Sequence, residues 1–135
     1  MDKKYQLTNE TREIDGHTLY RIKALRDFGD IKAGDLGGFI ESKRNLSHKG
    51  NCWVADNACV FDRAWVCGDA VITGYALVTG EALVSGNAQV SGDACVSGKA
   101  HVTGNAQVSG NTYFLGNAQV SSYADICKDT VITGE

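Results

Sequence analysis

Three observations predict an all-β fold, a single-stranded β-solenoid that begins with a β-hairpin cap. Residues 50–133 divide without interruption into fourteen six-residue repeats. Within each repeat the third residue is small and the fifth is β-branched, apart from one phenylalanine. The first two residues are Gly-Asn, Gly-Asp or a close relative, a pair that lets the chain turn with positive φ. Each hexad is therefore one short strand plus one corner. None can bury its own apolar face, so successive turns must stack.

From Gly50 the hexads read GNCWVA, DNACVF, DRAWVC, GDAVIT, GYALVT, GEALVS, GNAQVS, GDACVS, GKAHVT, GNAQVS, GNTYFL, GNAQVS, SYADIC and KDTVIT. Position 3 is Ala in eleven of the fourteen, with Cys52, Thr112 and Thr130 as exceptions. Position 5 is Val or Ile except at Phe114. Two residues apart on a strand, positions 3 and 5 point to the same side and suit a narrow, close-packed interior. Positions 4 and 6 then face outward. A helix is excluded because Val and Gly are poor helix formers and the period of six is not a multiple of 3.6.

Residues 1–49 read differently and form the second unit beside the repeats of 50–135. YQLT (5–8) and TREI (11–14) precede Asp15-Gly16, a hairpin-turn dipeptide, and HTLYRIKAL (17–25) follows it. Ile40 and Leu46 stand six apart, so an irregular first turn of the solenoid is expected here. A solenoid exposes an unpaired strand edge at each end, and this segment is the natural cover for one of them.

Composition excludes several classes. Residues 1–49 hold ten Lys/Arg and eight Asp/Glu, whereas 50–135 hold three and eight, so the repeats carry −5 and offer no basic stripe to a phosphate backbone. Nucleic acid is not an expected partner. No stretch approaches the roughly 18 apolar residues of a membrane span. The N-terminus MDKKYQLTNE lacks a signal-peptide apolar run. The five cysteines (52, 59, 67, 95 and 127) lack C-x-x-C spacing, as expected for free thiols in a cytoplasmic protein.

The V-x-G-N-A-x run, with Val84 followed by Ala88 and Val90 by Ala94, resembles the hexapeptide repeat of left-handed β-helix proteins. The S-G-N-A-Q-V wording and the leader at residues 16–42 are similar to the YdcK-like group of bacteria and prophages, often labelled as transferases. The resemblance implies three hexads, about 18 residues, per coil. It also implies an outward surface sorted into three faces. Trp53, Val71, Gln89, Gln107 and Asp125 share one. Cys59, Leu77, Cys95, Tyr113 and Val131, with Phe61 and Leu115 from position 6, share an apolar second. Trp65, Leu83, His101 and Gln119 share the third.

An apolar outward stripe marks an interface. The residues expected to bind a partner are Trp53, Phe61, Trp65, Leu77, Leu83, Tyr113, Leu115 and Val131; the alternative for the Phe61–Trp65 end is cover by the hairpin. Cys59 and Cys95, two coils apart at about 9.6 Å, are too distant for a disulfide. Resemblance to hexapeptide acyltransferases, which use acetyl-CoA, would make a histidine the general base, and His101 is the one candidate that faces outward in mid-solenoid. It lacks an orienting partner, and no loop interrupts residues 50–133 to shape an active site. The γ-class carbonic anhydrases share the fold and hold zinc with three histidines; His17, His48 and His101 are too scattered for that, so no metal is expected. The expected function is a non-catalytic, homo-oligomeric binding or scaffold protein without a cofactor, binding a protein or small ligand at subunit junctions. The prophage resemblance suggests an inhibitor or sequestering agent against a host defence system. The alternative is an acyltransferase.

Overall fold

The computed structural model describes residues 3–120 throughout, together with the backbone of residues 125–126 and 131–134. The chain opens with strands β1 (Tyr5–Ile14), β2 (His17–Ala24) and β3 (Leu36–Ile40), and a 3-10 turn follows at Lys43–Asn45. Short strands then recur: β4 (Trp53–Val54), β5 (Cys59–Val60), β6 (Trp65–Val66), β7 (Val71–Ile72), β8 (Leu77–Val78), β9 (Leu83–Val84) and β10 (Gln89–Val90). They continue as β11 (Cys95–Val96), β12 (His101–Val102), β13 (Gln107–Val108), β14 (Tyr113–Gly116), β15 (Gln119–Val120), β16 (Asp125–Ile126) and β17 (Val131–Gly134). Every third strand pairs in parallel, as Cys59 with Leu77, Leu77 with Cys95 and Cys95 with Tyr113. The pairing offset is 77 − 59 = 18 residues, which is the β-solenoid coil expected from the repeat.

Three sheets wall the solenoid. One has eight strands in the order β1-β2-β3-β5-β8-β11-β14-β17, and the others have five and four. The interior is a stack of alternating small and branched side chains. Ala58, Ala76 and Ala94 and Val60, Val78 and Val96 are all fully buried. Backbone N–H groups donate to the next coil, as from Trp53 N to Ala70 O at 3.0 Å and Leu77 N to Ala94 O at 2.9 Å. The narrow bore thus satisfies main chain and apolar burial together.

Corner geometry explains the glycines at position 1. Gly80 has φ +66°, and a Cβ placed there would lie 2.9 Å from the backbone nitrogen and oxygen of Gly98 in the next coil. Among the described residues, only the first coils dispense with glycine at this position, at Asp56 (φ 57°) and Asp62 (φ 63°). Asp56 offsets part of that cost by accepting the Gly74 N–H through Oδ2 at 3.1 Å.

The N-terminal segment both extends and covers the solenoid. β1 and β2 form the expected hairpin, turning at Asp15 (φ 49°) and Gly16 (φ 84°). β3 lies antiparallel to β2 but parallel to β5, so the first coil starts inside the leader. Ile40 pairs with Val60 and Leu46 with Val66, offsets of 20 rather than 18. Buried Asn45 bridges this irregular turn. Its Oδ1 accepts the N–H groups of Glu41 (3.1 Å) and Ser42 (2.9 Å), and its Nδ2 donates to Ala64 O at 2.8 Å. The start of β1 is tied down by Lys4, fully buried, whose ammonium donates to Cys52 O at 2.7 Å and Gly50 O at 3.3 Å.

Candidate functional site

The hairpin does more than extend the sheet edge. Its tip curls over the outward side of β5 and β8, so that Leu19, Phe39, Cys59 and Phe61 form a second buried cluster outside the solenoid, with Ile14 and Leu77 packed against it. Beyond that cover the same outward surface continues as an open cleft of about 470 Å³. Ile14, Phe61, Leu77, Cys95, Tyr113 and Leu115 supply its apolar wall, Thr79 and Ser97 hydroxyls, and Asp15, His17 and Asp62 its polar lip. A mostly apolar concavity with a few converging polar groups is the form of a binding site.

Three segments meet at that lip. His17 opens β2 immediately after the hairpin turn, Glu41 follows β3, and Asp62 occupies the corner after β5. The His17 Nδ1 lies 2.8 Å from Glu41 Oε2. A carboxylate can only accept, so Nδ1 carries the proton and the imidazole is held by Glu41. The other carboxylate oxygen, Oε1, accepts the Asp62 N–H at 2.8 Å. Nε2 faces Asp62 Oδ1 across 3.7 Å, and the ring rests against Phe61 at 5.0 Å between centroids. Donating this hydrogen bond to Glu41 raises the His17 pKa above its ordinary value, and accepting it holds Glu41 below the usual carboxylate range. Burial pushes the Cys95 thiol up, so at neutral pH it stands in the cleft as a weakly polar, unreactive group.

The residues expected at an interface divide. Tyr113 and Leu115 are each 42% exposed and Trp65 is 48% exposed, while Leu77 and Leu83 are half-buried. The Val131 backbone continues this sheet beside Tyr113, and its side chain lies outside the described residues. One expectation is corrected, and for Phe61 the alternative of hairpin cover holds. Trp53, though at an outward position, is only 2% exposed, because Phe28 meets its ring edge-on at 5.3 Å and Tyr5 at 6.4 Å. Phe61 is only 5% exposed, covered by the hairpin tip. The leader, not a partner, occupies both.

His101 is exposed and makes no side-chain hydrogen bond among the described residues. The histidine with an orienting carboxylate is His17, which sequence reasoning passed over. Its partners lie 24 and 45 residues away, and Glu41 comes beside Asp62 only through the 20-residue offset of the first coil. Cys52, Cys59, Cys67 and Cys95 are free. No helix among the described residues is long and apolar enough to cross a membrane.

No family model matches the chain. Over 71 residues the sequence is 39% identical to the uncharacterised acetyltransferase YdcK of Escherichia coli strain K12. The match takes in 46% of this chain and 22% of that protein. The resemblance to hexapeptide-repeat proteins of the YdcK type therefore holds for part of the chain and, with the stacked coils, for the fold.

Proposed function

We propose that the chain is a non-catalytic β-solenoid binding and scaffold protein that self-associates through the outward face bearing Tyr113 and Leu115 and holds its ligand in the adjoining cleft. The make-up of the cleft carries this reading. Among the described residues its wall is apolar, its charged groups are Asp15 and Asp62 with His17, and neither lysine nor arginine lines it. Coenzyme A presents phosphates, which bind to cationic side chains and are repelled by carboxylates. An apolar surface interrupted by a small acidic lip fits a protein face or an amphiphilic molecule instead. Action against a host defence system is the version of this reading that the prophage resemblance suggests. Mass spectrometry of what co-purifies with the full chain reaches it.

Light scattering at micromolar concentration is the first test. The expected result is a mass well above 14.4 kDa for the chain and a fall to the monomer for Leu115→Glu. A monomer at all concentrations overturns self-association.

A second reading, acetyl transfer, is favoured by the hydrogen bond between His17 and Glu41, which leaves Nε2 free in the neutral ring to take a proton from an acceptor hydroxyl. The name of the relative points the same way. A thermal shift with acetyl-CoA, abolished in His17→Ala, supports that reading. No shift supports the first.

A further inference from the structure

The geometry points to a divalent transition-metal site at the lip of the cleft, with His17 Nε2 and Asp62 Oδ1 as ligands, Glu41 orienting the imidazole, and the remaining positions open to water or to the occupant of the cleft. His17, Glu41 and Asp62 each bring a ligand-type atom within 4.8 Å of the others. Two features turn that proximity into a site.

The first is the 3.7 Å between Nε2 and Oδ1. It is too long for a hydrogen bond. Two ligands of one zinc-sized ion, each bound at about 2.1 Å, stand about 3.4 Å apart at the tetrahedral angle. A shift of a few tenths of an ångström brings the pair to that span.

The second is the division of labour on the imidazole. A metal-bound histidine donates its other N–H to a carboxylate or carbonyl, which fixes the ring and raises its basicity. Here the Nδ1–H is already given to Glu41 at 2.8 Å, and Glu41 is itself held by the Asp62 N–H. The ring is therefore aimed with Nε2 toward Asp62. The nitrogen ligand favours zinc, with cobalt as its spectroscopic stand-in, over magnesium, calcium and manganese, which suit oxygen ligands. The neighbouring Asp15 carboxylate on the same lip adds negative potential. This inference stands whether the cleft holds a protein face or a small molecule.

The test is titration of the EDTA-stripped full chain with Zn²⁺ by calorimetry and with Co²⁺ by absorption. One ion per chain is expected, bound with micromolar affinity. Visible Co²⁺ bands should appear without the ultraviolet thiolate band that Cys95 or Cys59 would give. His17→Ala and Asp62→Asn should abolish binding; asparagine tolerates the positive φ at residue 62, so that variant keeps the corner. Glu41→Gln should keep the stoichiometry and weaken binding by about 10–100-fold, as loss of an orienting partner does. No saturable binding by the parent, binding unchanged in His17→Ala or Asp62→Asn, or a thiolate band would each overturn the site. Unchanged melting temperatures for the metal-free variants show that a loss is local.

Discussion

The Tyr5 ring stacks on the His48 imidazole, with centroids 4.2 Å apart and planes 10° from parallel. The same imidazole accepts the Lys4 N–H through Nδ1 at 3.1 Å, so the start of β1 is docked on a neutral histidine. Burial, and then the positive charge of Lys4, Lys43, Lys3 and Arg26, lower the His48 pKa from 6.5. A histidine with a depressed folded pKa contributes stability in its neutral form. That contribution is complete above pH 6.5 and is lost as pH falls through the folded value. Melting temperature should therefore decline on acidification below about pH 6.5. In His48→Asn, which keeps an acceptor but does not titrate, that part of the decline should vanish. An identical pH profile for parent and variant would remove His48 as its source.

The solenoid interior should refuse charge. Val90 is fully buried, whereas its neighbour Gln89 is exposed. Val90→Asp places a carboxylate in a closed apolar column at a cost of several kcal/mol. Each coil leans on its neighbours, so the lesion should spread. Gln89→Asp should be nearly silent. Circular dichroism melts of the two variants check the inward and outward assignment, and equal melting temperatures would contradict it.

Gly80 and Gly16 both need positive φ, but only Gly80 also needs the missing Cβ. Gly80→Ala forces contact with Gly98 backbone, whereas a Cβ at Gly16 meets nothing within 4 Å. Gly16→Ala should cost only the left-handed penalty, about 1–2 kcal/mol. Gly80→Ala should cost clearly more. Denaturant midpoints of the two variants give the comparison.

His101→Ala should leave stability, assembly and binding unchanged, because the ring is exposed and no described residue orients it. A well-folded variant that lost binding would move the functional site from the hairpin lip to the third face.

The solenoid was legible because its cause is local. All the hexads but the one with Phe114 carry the same small and branched pair, and one step of eighteen residues sets the strand pairing within the repeats. The cover was not legible, because it depends on where a distant strand lands. Trp53 and Trp65 sit at the same repeat position, each followed by valine, yet one is 2% and the other 48% exposed. What separates them is Tyr5 and Phe28, brought in by a leader whose own pattern specifies a hairpin but not the surface it lies on. The His17 lip was hidden for the same reason. Gly37 shows how closely that leader fits: a Cβ there would come within 2.7 Å of Ile22 and Trp53 side-chain atoms, a constraint with no signature in the sequence.

The constant offset in the parallel pairs has a genetic consequence. Removing or duplicating any eighteen consecutive residues within the regular repeats joins equivalent positions of neighbouring coils, so strand register and the inward columns survive the splice. Unequal exchange between near-identical stretches such as GNAQVS at 86–91 and 104–109, which are one coil apart, yields that product directly. Length changes made by such exchange would come in whole-coil steps. The hairpin lip, built on the first coils, stays intact while the far end grows or shrinks.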